Sequence, residues 1–185
     1  MSEGTMRLFV AIELGAELAQ RILRLRAPLM TGANAHWSRP EAWHLTLRFL
    51  GERPETELPA LSAALSRVRR PPFLLHLRGL GVFPPRGRPH RLWIGVADAN
   101  PAAQLAAAIE QQLAPLGFTP EARPFTPHIT LASAGKGSLA PLRAALSPTE
   151  PAWGTQEIAE FALFLSRPVR GQFEYDRLGR FPLRP

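Results

Sequence analysis

Arg39–Leu47 reads RPEAWHLTL, and 84 positions later Arg123–Leu131 reads RPFTPHITL. Five of the nine positions are identical, and both stretches carry His-x-Thr in an apolar frame. Random placement of this chain's histidines and threonines would give only about 0.2 such triplets, so two with matched flanks mark an internal repeat. The same offset pairs Arg7-Leu8-Phe9-Val10 with Arg91-Leu92-Trp93-Ile94, each opening a β-prone run. It also pairs Leu25 with Ile109 and Leu29 with Leu113, within two stretches of helical spacing.

The first helical stretch places Leu18, Ile22, Leu25 and Leu29 on one face; the second places Leu105, Ile109, Leu113 and Leu116 there. Asn100-Pro101 is a suitable start for the second, with Asn100 as cap and proline in the first turn. Each half continues with another helix, through Leu58, Leu61, Leu65 and Val68 or through Leu139, Leu142 and Leu146 with Ser138 as cap. Strands Phe73–Leu80 and Ile158–Leu165 follow, and Gln172–Leu178 alternates like an edge strand. The expected fold is α+β: a bilobal, pseudo-twofold duplication with two antiparallel sheets lining a central cleft and helices on the outer faces. Residues 1–185 are read as a single domain of two lobes, since the 14 glycines and 20 prolines punctuate the whole chain instead of forming one linker.

Side chains of a strand alternate faces, so His44 projects with Thr46 and His128 with Thr130, while Leu45, Leu47, Ile129 and Leu131 point into packing. Duplicated units pack about a pseudo-twofold axis, which brings the two motifs to one cleft. Of 185 residues, 22 are basic and 15 acidic, a net charge of +7 that favours an anionic partner. The chain has no cysteine, which excludes disulfides, thiolate metal sites and a cysteine nucleophile. A histidine metal site would want further donors, and each motif offers a hydroxyl instead of a carboxylate. A serine or threonine nucleophile lacks a strand–turn–helix elbow and an orienting acid.

Acid–base chemistry fits the set better. One imidazole can start neutral and take a proton while the other starts protonated and delivers one. In-line displacement at phosphorus needs such a pair on opposite sides of the phosphoryl group, and Thr46 and Thr130 supply hydrogen bonds to its non-bridging oxygens. Symmetry leaves acid and base interchangeable. Arg48, two residues beyond Thr46, is expected on the same strand face beside the phosphate.

Through Arg7–Ile12, His44–Gly51 and Arg123–Leu131, taken in order along nearly the whole chain, the sequence resembles the 2H phosphoesterases. Within them it resembles the bacterial and archaeal RNA 2′,3′-cyclic phosphodiesterases, also called 2′-5′ RNA ligases. That resemblance implies opening of a terminal RNA 2′,3′-cyclic phosphate to a 2′-phosphomonoester without metal or other cofactor, and reversible, ATP-independent 2′-5′ joining. It makes His44 the proton donor and His128 the proton acceptor, with Thr46, Thr130 and Arg48 binding substrate. Many members carry an arginine where this chain has Ser133, which leaves Arg123 or Lys136 as replacement cations. Rival readings are hydrolysis of other cyclic nucleotides or 2′-5′ oligoadenylate, and a non-catalytic RNA-binding module. The partner expected is RNA with a cyclic phosphate end and the state expected is a monomer; without an apolar run long enough to span a membrane, the protein is expected to be cytoplasmic.

Among the remaining candidates, Trp37, Trp43 and Phe125 flank the motifs and serve either base stacking or core packing. The basic segment Pro84–Arg91 either contacts an RNA backbone or is solvated. His76 reads as an ordinary strand histidine, and His36 and His90 as loop residues.

Overall fold

Val, Ile, Leu and Phe recurring at period two build strands here, and those strands assemble into one sheet. The computed structural model describes residues 4–30, 35–84, 90–134, 152–169 and 172–185. The described order is β1 (Thr5–Glu13), α1 (Ala16–Arg26), β2 (His36–Trp37), β3 (His44–Pro54), α2 (Leu58–Leu65), β4 (Phe73–Phe83), β5 (Arg91–Val96) and α3 (Asn100–Leu113). It continues with β6 (His128–Ser133), β7 (Ala152–Ile158), β8 (Glu160–Val169) and β9 (Gln172–Pro182). The second-half helix expected through Leu139, Leu142 and Leu146, with its cap Ser138, lies outside the described residues. None of the described helices is long and apolar enough to cross a membrane.

The strands run β7-β4-β5-β6-β3-β1-β8-β9, with β2 also on β6. Two sheets were the expectation; the two halves instead fuse into one. The seam is a single antiparallel pair, Leu45 with Ile129, which are equivalent positions of the repeat. Fusion covers two edges that would otherwise expose unpaired backbone groups. Each lobe also borrows: β4, from the first half, pairs with β5, whereas β8, from the second half, pairs with β1. β9 closes the sheet beside β8 as the edge strand that its alternation predicts.

One register departs from the 84-residue offset. Glu13 lies opposite His44 in the β1–β3 ladder, and Gly95 lies opposite His128 in the β5–β6 ladder. The structural counterpart of Arg91 is therefore Phe9, not Arg7, because the connection from first strand to motif strand is two residues longer in the second half. A slip of two keeps every side chain on its face, so alternation cannot reveal it. Both motif strands also bulge at the same place: partners jump from Arg48 to Thr46 in one ladder and from Ala132 to Thr130 in the other. Leu47 and Leu131 are the extra residues, and each reverses the facing of the residues beyond it.

Helices cover the face of Leu45 and Ile129. Leu18 and Ile22 of α1, Leu61 and Leu65 of α2, and Leu105, Ile109 and Leu113 of α3 pack there with Leu8, Val10 and Ile12. Each such side chain contributes about 1.5–3 kcal/mol on burial. Two helix details differ from the sequence pattern. Leu25 is exposed within α1, which stops at Arg26, and the N-cap of α3 is Ala99, with Asp98 Oδ1 just before it accepting the Asn100 N–H at 2.9 Å. The opposite face carries a smaller cluster, Phe9, Ala11, Ala162 and Phe164 with Tyr175 packed against it.

Candidate active site

Directly opposite residues of an antiparallel pair point the same way, so Leu45 and Ile129 both enter the helix-covered core and their neighbours emerge on the other face. The register runs His44 toward Thr130 and Thr46 toward His128. The four motif side chains thus form one diagonal square astride the seam, each half-buried at the centre of the sheet.

Each histidine is held the same way. His44 Nδ1 lies 2.9 Å from the Ala42 carbonyl and His128 Nδ1 lies 2.8 Å from the Thr126 carbonyl, again equivalent positions. A carbonyl only accepts, so Nδ1 carries the hydrogen and Nε2 is left for the cleft. The first-half anchor is a 3-10 turn, Pro40–Ala42, whose Pro40 carbonyl accepts the Trp43 N–H at 3.0 Å. Burial lowers the His44 pKa to about 4, against the raising effect of the Ala42 bond and assisted by repulsion from His128. His128 is also lowered, by burial first; its Thr126 bond opposes this and the Arg91 charge adds to it. Both shifts favour the neutral imidazole at pH 7.

Aromatic rings wall each histidine. The Phe9 centroid is 4.8 Å from His44, Tyr175 meets His44 edge-on at 5.0 Å, and Phe164 stacks on Phe9 at 5.2 Å. Beyond them a cavity of about 110 Å³ is bounded by Glu13, Glu41, Trp43, His44 and Tyr175. On the other side Phe83 meets His128 edge-on at 5.0 Å, and the Trp93 centroid is 5.9 Å away. Trp93 lies flat over Gly81, where any Cβ would come within 2.0 Å of the indole. Glycine at 81 is therefore what allows the indole to reach His128.

Two successive segments, residues 12–93 and 94–175, match the model of the LigT-like phosphoesterases. The chain belongs to that family. The two matches begin at Ile12 and Ile94, the same equivalence that the ladder registers show. An RNA 2′,3′-cyclic phosphodiesterase of Escherichia coli K12 is 33% identical over 184 residues, 99% of each chain. One from Geobacillus stearothermophilus is 31% identical over 95% of this chain, which spans 56% of that longer protein. Among solved structures, E. coli LigT complexed with 3′-AMP superposes with a TM-score of 0.81 at 32% identity, covering 97% of this chain and 99% of that one.

In this LigT-like phosphoesterase the structure brings His44, Thr46, His128 and Thr130 together, and it separates Arg48 from them. The Leu47 bulge turns Arg48 to the helix side, where it is 7% exposed. There Nη1 lies 3.1 Å from Glu110 and 3.0 Å from Glu121, and Nη2 donates to the Thr119 carbonyl. Arg48 is corrected from a phosphate contact to a tie between β3 and α3. Arg123 is exposed on the loop before β6, and Lys136 lies outside the described residues.

Trp43 is core, 3% exposed, with Arg26 stacked on it at 4.9 Å; Trp37 and Phe125 also pack against the core. His76 is exposed on β4 with Nδ1 2.9 Å from Thr155 Oγ1; His36 is in β2, and of the basic segment, residues 85–89 lie outside the described residues. The aromatic walls Phe9, Phe83, Trp93 and Tyr175 are absent from the sequence-based set. A signal for one was present: Leu8–Ile12 is apolar on both faces, which requires a second packed surface opposite the helices. Among the described residues, no group of three or more His, Asp or Glu could hold a metal ion.

Proposed function

We propose that this phosphoesterase is an RNA 2′,3′-cyclic phosphodiesterase that opens a terminal cyclic phosphate to a 2′-phosphomonoester. The observation that carries the reading is the pair of Nδ1-anchored histidines facing each other across the seam with a threonine beside each. His128, with a neutral Nε2, takes a proton from water as the water oxygen bonds to phosphorus. The P–O3′ bond breaks, and His44 delivers a proton to the departing oxygen. Thr46 and Thr130 donate to the non-bridging oxygens as charge accumulates there. His44 gains the proton it donates when the anionic phosphate enters, since a negative charge within hydrogen-bond reach favours imidazolium and offsets the burial that holds it near 4.

The same site admits an RNA 5′-hydroxyl in place of water. That substitution forms a 2′-5′ linkage without ATP and runs backward by the same proton transfers. In this reading all 185 residues act as one two-lobed domain, a cytoplasmic monomer whose substrate is RNA ending in a cyclic phosphate. Incubation with a short RNA bearing that end tests it: the expected product carries a 2′-phosphate. A 3′-phosphate product, or no turnover, overturns the reading.

A further inference from the structure

A phosphodiester between the two histidines brings a negative charge that moves onto its non-bridging oxygens during the reaction, yet both threonines are neutral donors. A guanidinium would match two of those oxygens at once. Most arginines near the cleft are committed elsewhere. Arg48 is on the helix side with Glu110 and Glu121, Arg26 donates to Ser38, and Arg177 is 2.7 Å from Glu13. Arg7 sits over the Phe173 ring at 5.4 Å.

Arg91 is different. It opens β5 opposite Ser133, two residues before Trp93, which lies opposite Thr130. Leu92 and Ile94 are buried on the helix side, at 1% and 0% exposure, so Arg91 and Trp93 share the face of the histidines. Two residues along a strand span about 7 Å, a gap that an arginine side chain covers. Arg91 is exposed, and its guanidinium has no hydrogen bond or ion pair among the described residues. Its charge is felt on both sides of the seam, opposing protonation of His128 and favouring ionisation of Tyr175. The equivalent position in the other lobe is Phe9, so this cation has no counterpart at the matching register position there.

We propose that Arg91 is the phosphate-binding cation of the site, contacting a non-bridging oxygen beside His128 from across the ladder at Ser133. The assignment rests on the cyclic phosphodiesterase reading for the reaction, but not for the binding of phosphate itself. Its second effect is to add to the burial that lowers the His128 pKa, in the direction that a base requires.

Two measurements on the full chain test it: kcat/KM on a short RNA ending in 2′,3′-cyclic phosphate, and calorimetric affinity for inorganic phosphate. Arg91→Gln, at an exposed position, is expected to fold normally and lower kcat/KM roughly 10- to 100-fold, with weaker phosphate binding. Arg91→Lys is expected to fall between. Moving the cation across the ladder, with Ser133→Arg in the Arg91→Gln background, is expected to recover at least part of the loss. The kcat/KM profile is expected to extend to higher pH in Arg91→Gln, as repulsion on His128 is removed. Wild-type turnover and phosphate affinity in both Arg91 variants would overturn the assignment and leave the phosphodiesterase reading standing. Should the parent protein lack turnover while Arg91→Gln weakens phosphate binding, the cation stands and the phosphodiesterase reading falls. A parent protein that neither turns over nor binds phosphate overturns both.

Discussion

His44 sits between Phe9 and Tyr175, above a cavity of about 110 Å³; His128 sits between Trp93 and Phe83, with Arg91 on the same strand as Trp93. The backbones that present them are alike in anchoring carbonyl, bulge and seam partner. Duplication supplied the geometry twice, and divergence of the walls made the two imidazoles unequal. Chemistry that needs one acid and one base at the same pH depends on that inequality.

The largest break in the comparison comes from removing either ring. His44→Ala and His128→Ala are each expected to lower kcat by about 10²–10⁴-fold, the range for one general acid or base. A substrate whose leaving group departs as a stable anion then sharpens the comparison. A nitrophenyl phosphodiester should recover most of the His44→Ala loss and little of the His128→Ala loss; equal recovery would erase the division of roles. Thr46→Val and Thr130→Val remove one neutral donor each, and a loss of about tenfold in kcat is expected from either, read against unchanged thermal unfolding.

Arg48→Ala tests the opposite kind of residue. Removing it leaves Glu110 partly buried without its cation, so a stability loss of about 2 kcal/mol is expected, below the ~3–5 of a fully buried pair because Glu121 is half exposed. Turnover per folded molecule should hold; a large kcat loss without a change in Tm would return Arg48 to the cleft.

Proton linkage gives the smallest effects. The kcat/KM profile follows the free enzyme, where His44 lies near 4 and His128 below its usual 6.5, so its bell should centre on the acid side of neutrality. Those limbs belong to the coupled pair, and the kcat profile should sit at higher pH because bound phosphate raises both. For stability, a folded pKa of about 4 against an unfolded 6.5 means that the unfolded chain binds the proton first. The stabilisation is complete above about pH 6.5 and is lost as pH falls toward 4. Tm should decline over that window, and His44→Asn should flatten the decline; an equal slope in the variant would contradict the burial of His44.

The square of His44, Thr46, His128 and Thr130 is legible in the sequence because repeat and alternation both act on backbone geometry. Arg48 is not, since a bulge at Leu47 adds one residue without any glycine or proline to announce it. The two-residue slip between Phe9 and Arg91 hides for a different reason: it preserves parity, and Arg7 and Arg91 offer a better letter match than the true register. Fusion of two expected sheets into one is likewise invisible, because a single seam pair needs nothing beyond two apolar residues.

The exchange of β4 and β8 carries an implication about origins. Neither half holds a complete lobe, so a half-length ancestor could not have folded as this lobe by itself. Two separate copies of such a half would complete each other by exchanging strands as β4 and β8 do here, with the residues at the positions of Leu45 and Ile129 meeting on the twofold axis. In such a pair both imidazoles would be identical and neither would be fixed as acid or base. In one chain the two sides can differ residue by residue, and Phe9 at the register position of Arg91 is one such difference.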